Sequence, residues 1–211
     1  MAASPETDCR LCSRLVDFRY ANRDAHPGWH NGSVPSFGDR DAPLLIVGLA
    51  PGLKGANRTG RPFTGDFAGD LLYETLKAST LARGDYGRKA DDGLSLISCR
   101  ITNAVRCVPP ANRPTAAEVA ACRRFLAAEI DSMANLKVIL ALGTVAHGAV
   151  VAAVGEKKSA WKFTHHAFHH LPRGLVLADS YHCSRYNTNT GRLTRAMFEA
   201  VFADIVECLG G

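Results

Sequence analysis

Four short apolar runs, at 44–47, 96–102, 138–142 and 175–178, constrain the fold most strongly, because they show almost no polar alternation. A strand with one face in water alternates apolar and polar residues, whereas a strand covered on both faces does not. Segments with helical spacing lie between the runs. Leu71, Leu72, Thr75 and Leu76 recur along 67–81, and 144–154 is rich in Ala and Val. The segment 115–133 opens with Thr115-Ala116-Ala117-Glu118 directly after Pro114, the signature of a capping box. Further helices are expected at 9–23 and at 194–209, the latter ending before Gly210 and Gly211. One helix followed by four β-α units implies parallel strands joined by right-handed crossovers. The predicted fold is therefore α/β, a three-layer α/β/α sandwich with a central four-stranded parallel sheet. Residues 1–211 are read as a single domain, with 26–42 as a lead-in loop.

A chain of 211 residues can build one full hydrophobic core and is short for two. With 46% hydrophobic and 21% charged residues, disorder and fibrous structure are excluded. The formal charge of +5 gives only a weak pointer to a polyanionic partner. No apolar run reaches the roughly 18–20 residues that span a bilayer, so no membrane association is expected. The opening MAASPETDCRLCSRL lacks the basic-then-apolar order of a secretory signal, which implies a cytoplasmic protein. In that setting seven cysteines point to metal ligation or buried thiols rather than disulfides.

Ligands of open α/β sheets bind beyond the carboxyl ends of the strands, and here three of the four strand exits are rich in chemistry. The first, GLAPGLKGANRTGRPFTGD at 48–66, holds five glycines, three basic residues and one carboxylate, Asp66. It lacks the Gly-Lys-Ser/Thr ending of a phosphate-binding P-loop, and the Gly-x-Gly-x-x-Gly dinucleotide fingerprint is absent too. The second exit is NAVRCVPPAN at 103–112, and the third is DSYHCSRYNTNTGR at 179–192. The fourth, Leu142-Gly143-Thr144, leads directly into a helix N-terminus that could receive an anion.

Cys9 and Cys12 form a C-x2-C pair expected on the N-terminal helix, and Cys107 and Cys122 follow with fourteen residues between them. Four such thiolates can close around zinc or an iron–sulfur cluster, and spacing alone does not separate the two. Cys99, Cys183 and Cys208 read as spare thiols. The tract His165-His166-Ala167-Phe168-His169-His170 has no acidic or cysteine neighbour in sequence and reads as a solvated loop.

Together GLAPGLKGANRTGRPFTGD, NAVRCVPPANRPT and YHCSRYNTNTGRLT strongly resemble the type-b uracil-DNA glycosylases, family five of that superfamily, in order along nearly the whole chain. The resemblance implies a glycosylase of base excision repair that hydrolyses the N-glycosidic bond of uracil, or another deaminated base, in a nucleotide flipped out of DNA. It also implies a [4Fe–4S] cluster held by Cys9, Cys12, Cys107 and Cys122, which ties the N-terminal helix to the rest of the domain. A non-catalytic iron–sulfur DNA-binding protein of the same fold is the alternative, motivated by Leu49 and Ala50 where other branches carry a carboxylate or amide.

The resemblance assigns roles residue by residue. Asp66 organises the attacking water, although it could also merely cap the following helix. His182 donates to the uracil carbonyl, and Asn112 positions substrate unless it only forms an Asx-turn. Gly48, Leu49 and Ala50 line the base pocket and Phe63 stacks on the base from an exposed loop position; Asn103 stands where several family members have alanine, and its amide suits the O4/N3 edge of uracil. Asn57 is a secondary candidate for the sugar. Arg58, Arg61, Ser184, Arg185, Arg192 and the inserting Tyr186 and Asn187 contact DNA. The implied partner is uracil-containing DNA, with the protein acting as a monomer.

Overall fold

A computed structural model of the chain describes residues 4–210. Residues 1–3 and Gly211, which the single-domain expectation includes, lie outside the described residues. In chain order the elements are α1 (Ser13–Ala25), β1 (Phe37–Gly38), β2 (Leu44–Gly48), α2 (Ala56–Thr59) and α3 (Phe67–Ala78). There follow β3 (Ala82–Arg83), β4 (Ser95–Leu96), β5 (Cys99–Asn103), α4 (Ala116–Ser132), β6 (Val138–Leu142) and α5 (Thr144–Ala153). The chain closes with β7 (Phe168–His170), β8 (Val176–Ser180), α6 (Arg185–Asn189) and α7 (Arg195–Gly210).

The main sheet runs β1-β5-β2-β6-β8-β7. Its four inner strands are parallel, with Ile46 of β2 registered between Ile101 of β5 and Leu140 of β6. The sheet has six strands rather than four, because short β1 and β7 add antiparallel edges that sequence pattern did not signal. Strands of two or three residues carry too little periodicity to be read. The expected strand at 96–102 is broken: Ser98, at φ +54°, turns the chain so that Leu96 pairs back with Ala82 while Cys99 pairs with Leu44.

Continuous burial of β2 and β6 follows from two-sided packing. Leu44, Ile46 and Leu140 face α3 and α7, meeting Leu72, Leu76, Phe198 and Phe202. Leu45, Val47 and Ile139 face α4 and α5, meeting Leu126, Ile130, Ala149 and Val150. α4 begins with the predicted capping box: the Thr115 side chain accepts from Glu118 N–H at 3.2 Å, and the Glu118 carboxylate accepts from Thr115 N–H at 2.7 Å. α3 stops at Ala78 rather than at 81, because Thr80 at φ +59° lets Leu81 N–H close on the Leu76 carbonyl at 2.8 Å. α7 continues through Gly210 rather than ending before it, since Leu209 in its last turn still packs on the core.

The C-x2-C pair precedes α1 instead of lying on it. Cys12 is the N-cap residue, and its carbonyl accepts the first helical bonds from Leu15 and Val16. α1 is anchored to the start of α4 by the Arg14–Glu118 ion pair at 2.7 Å. Among the described residues no helix is long and apolar enough to cross a membrane.

Leu140 is fully buried at the middle of the sheet. Leu140→Ala is expected to cost about 2–5 kcal/mol, read as a lower urea midpoint with an unchanged slope.

Candidate active site and cysteine pocket

From β2 the chain moves to β5 through α3 on one face; from β6 it moves to β8 through α5 on the other. Neighbouring strands whose connections leave in opposite directions open a crevice at their carboxyl ends. A pocket of about 730 Å³ lies there, walled by Leu49 and Ala50 after β2 and by Leu142, Gly143 and Thr144 after β6. That volume is ample for a small ligand or one nucleotide base with its sugar.

Asp66 and His182 line this pocket together with Phe63, Asn103 and Asn112. Asp66 is the N-cap of α3, its Oδ1 accepting Gly69 N–H at 3.1 Å. Its Oδ2 lies against the Gly52–Gly55 turn, where a Cβ on Gly55 would stand 2.2 Å away and one on Gly52 2.8 Å away. These glycines exist, in physical terms, to make room for a carboxylate. Burial raises the Asp66 pKa, and the Gly69 N–H offsets part of that rise. Oδ1 is thus taken up by the helix cap, while Oδ2 lies against the glycine turn.

His182 has the opposite history. Burial pushes its pKa down to about 4, so the ring is neutral at physiological pH. Its Nδ1 has no hydrogen-bond partner among the described residues. The backbone is held by Asn187, whose side-chain amide donates to the His182 carbonyl at 2.8 Å. Gly143, at φ +97°, turns the neighbouring exit, and its N–H donates to the Ser180 carbonyl at 2.8 Å.

The remaining wall combines a flat face with a polar edge. Phe63 lies 5.8 Å from the His182 ring at an interplanar angle of 27°. It is buried at 6% exposure rather than standing out from the loop, because the loop folds back onto the core. Its φ of +52° is strained for a non-glycine residue. Asn103 is buried with its Oδ1 unpartnered. Gly48 lies behind both; a Cβ there would meet Asn103 Oδ1 at 2.4 Å and Phe63 Cζ at 2.5 Å.

A clamp that sequence reasoning missed holds this loop. Tyr86 accepts Gly65 N–H and donates to the Phe63 carbonyl, both at 3.1 Å, and Tyr73 donates to the Pro62 carbonyl at 2.7 Å. Arg61 is 4% exposed and forks onto Asp92 through two 2.7 Å bonds, inside a cage of Phe37, Tyr73 and Tyr86. It therefore cannot reach a phosphate, contrary to its assignment from sequence. Asn57 is likewise withdrawn: it is fully buried and donates to Asn31 at 2.9 Å. Nothing in the sequence of residues 84–93 signals the clamp, since Tyr86 and Asp92 act only through tertiary contact.

The four cysteines converge. Cys9, Cys12, Cys107 and Cys122 line one small apolar pocket with Leu15, Val105 and Phe125. Among the described residues no three of their sulfurs lie within 4.8 Å of one another. Four thiols around one cavity are the donor set that a thiolate-ligated metal centre, zinc or iron–sulfur, requires. The buried Arg19 reaches it, with Nη1 3.9 Å from Cys107 Sγ.

Comparison with known proteins gives this geometry a family. The family model described as "Uracil DNA glycosylase superfamily" matches residues 35–206. The chain belongs to that superfamily. It is 45% identical over 210 residues to the type-5 uracil-DNA glycosylase of Thermus thermophilus, covering 97% of this chain and 95% of that one. It is 41% identical over 211 residues to the type-5 enzyme of Mycobacterium leprae, covering 96% and 92%. To the type-4 uracil-DNA glycosylase of Thermotoga maritima it is 42% identical over 110 residues, about half of each chain.

On the uracil DNA glycosylase fold the outer rim of the pocket is formed by Ser184, Arg185 and Tyr186, with Tyr186 72% exposed. Ser184 caps α6 by accepting Asn187 N–H at 3.4 Å. Asn187 is turned inward to His182 rather than outward, so its amide is not presented to DNA. Arg58 is exposed but lies beside Arg88 and Lys89, and Arg192 lies over the Tyr181 ring at 4.5 Å; neither lines the pocket. Arg113, not singled out from sequence, does line it. Asn112 is exposed at φ +55° and faces the same space.

The histidine tract acquires acidic partners through folding. Asp179 bridges His147 Nδ1 at 2.8 Å and His169 Nε2 at 3.0 Å, while His166 meets Asp204 at 2.8 Å. Burial opposes a charge on His147, but Asp179 and the Trp161 carbonyl outweigh it and raise the pKa. With an acceptor at each ring nitrogen, that imidazole is built as a donor at both ends, tying α5 and 161–170 to β8.

The Arg61–Asp92 fork gives a direct stability test. Burial alone would raise the Asp92 pKa, yet Arg61 and the Leu94 and Gly87 N–H groups bring it down to about 2. Asp92→Asn leaves the Arg61 charge buried without a carboxylate, and about 3–5 kcal/mol should be lost in urea unfolding at neutral pH. The depressed pKa means the contribution is present above 3.8 and lost as pH falls toward about 2, so native and variant stabilities converge in acid.

Proposed function

We propose that the protein is a monofunctional uracil-DNA glycosylase of base excision repair, hydrolysing the N-glycosidic bond of uracil, or another deaminated base, flipped out of DNA. One observation carries this reading: a carboxylate, Asp66, and a neutral imidazole, His182, share one pocket with an aromatic face and an unpartnered carboxamide. The protein works as one α/β/α domain and as a monomer inside the cell, where its DNA is.

As the glycosidic bond breaks, the sugar gains oxocarbenium character and the base leaves with the bonding electrons. Asp66 Oδ2 takes the proton of the water that adds to the anomeric carbon, and its charge favours the cationic sugar. His182, already neutral, donates an N–H to the base carbonyl that becomes anionic, at no cost of burying a cation. Phe63 stacks on the base, and Asn103 reads its edge. Asn112 positions the substrate, while Gly48, Leu49 and Ala50 bound the pocket without chemistry of their own.

Outside the pocket Tyr186 inserts into the stack vacated by the flipped base, a contact worth about 1–3 kcal/mol. Arg185 and Ser184 bind flanking phosphates, with Arg58 and Arg192 further out. Cys9, Cys12, Cys107 and Cys122 hold a [4Fe–4S] cluster. When bound, it supplies a cross-link between the N-terminal segment and the segment after β5, not a reacting group.

A labelled duplex with one U·G pair, treated with alkali after incubation, tests the reading. Strand scission at the uracil is expected, falling by about 10²–10⁴-fold in Asp66→Ala and His182→Ala while duplex affinity is retained. Iron-loaded native protein that binds the duplex without cleavage would overturn it in favour of the binding-only reading. The single-turnover rate should rise with pH along an acid limb centred above 3.8, since burial raises the Asp66 pKa and only its ionised form accepts a proton. No such limb remains in Asp66→Asn. Asn103→Ala should broaden cleavage toward hypoxanthine; an unchanged ratio of uracil to hypoxanthine cleavage would remove Asn103 as the edge reader.

A further inference from the structure

Arg19 is unusual for an arginine: it lies on α1 at 1% exposure, and no carboxylate among the described residues is within hydrogen-bonding distance of it. Its Nη2 donates to the Cys9 carbonyl at 2.9 Å and its Nη1 points to Cys107 Sγ at 3.9 Å. Nε is buried without a hydrogen-bond partner. The nearest acidic group, Asp8, stands 3.9 Å away with 58% of its side chain exposed, and it is already bound by Arg23. A guanidinium taken out of water needs an anion close by. Asp8, exposed and shared with Arg23, fills that role for Arg19 only in part.

A second charge lies beside the same pocket. Arg106 lines it, and Arg106 and Arg100 both pair with the buried Glu129. Two guanidiniums against one carboxylate leave that trio with one net positive charge. Four thiolates on a [4Fe–4S] core in its common oxidation level carry a net charge of about −2. Arg19 and the Arg100–Arg106–Glu129 trio together supply the matching opposite charge.

On the iron–sulfur reading of the four cysteines, we propose that Arg19 is a positioning residue for the cluster. It donates a charge-assisted hydrogen bond to the Cys107 sulfur and, with the Arg106 trio, neutralises the buried anionic centre. Its bond to the Cys9 carbonyl makes the same fork span two ligand segments, so it holds the Cys9–Cys12 turn against the Cys107 loop while balancing their charge. Groups that hold and polarise ligands in this way typically change metal affinity by about 10–100-fold when removed.

The test uses native protein, Arg19→Gln and Arg19→Lys, each purified anaerobically. Iron and sulfide per chain, bleaching of the visible cluster absorption by an iron chelator, and the cluster midpoint potential are measured. Arg19→Gln should lose iron roughly 10-fold faster or more, and its potential should move to more negative values, because a positive charge and a sulfur hydrogen bond are removed. Arg19→Lys, which keeps the charge but not the fork, should recover most of the potential while still shedding iron faster than native. Native retention and an unchanged potential in Arg19→Gln would overturn the proposal. Faster loss with no change of potential would overturn it too, reducing Arg19 to a structural brace. Far-UV circular dichroism of each variant separates cluster loss from failure to fold. Native protein without iron and sulfide would instead overturn the iron–sulfur reading itself.

Discussion

Burial of β2 and β6 on both faces is the constraint on which the remaining structure depends. With Leu44, Ile46 and Leu140 turned to one helical layer and Leu45, Val47 and Ile139 to the other, both layers must be supplied by crossovers. The crossovers leave β2 and β6 in opposite directions, so the sheet's carboxyl edge parts between them. The crevice is a consequence of that wrapping, and the loops at its edges wall it into a pocket.

What the loops add is rigidity at chosen points. The chain after β2 is rich in glycine, yet it is held at Arg61 by Asp92, at Phe63 and Gly65 by Tyr86, and at Asp66 by the first turn of α3. Glycine has two roles here that are easily confused. At Gly60 and Gly65 it supplies positive φ, whereas at Gly48, Gly52 and Gly55 it supplies space for Asn103, Phe63 and the Asp66 carboxylate. Preorganisation of that kind places a carboxylate and an aromatic face without reorganisation when substrate arrives.

Burial acts on the two ionisable walls with opposite sign. It disfavours the charged form of each group, raising Asp66 and lowering His182. One thereby becomes a stronger base and the other an imidazole that is neutral at physiological pH.

The parallel α/β/α core, its helices and the capped start of α4 were legible from apolar runs and a four-residue capping signature, because local periodicity records two-sided burial directly. The chemistry-bearing loops were legible too, since glycine, asparagine and histidine at strand ends are poor choices for connection alone. Contacts between distant segments were not. Arg61 reads from sequence as a free loop cation, and only folding brings Asp92 to it; Asn187 reads as an outward amide, and only α6 turns it onto His182. Cys9 and Cys12 read as helical, but the first helical bonds begin at Cys12. The two-residue edge strand β1 and the union of His147 and His169 on Asp179 have no local signal at all. Sequence by itself determined which segments bury and which loops carry reactive groups, because those are properties of neighbouring residues. Tertiary structure alone decided which charges are spent inside the protein and which remain for a ligand, because that depends on partners far away along the chain.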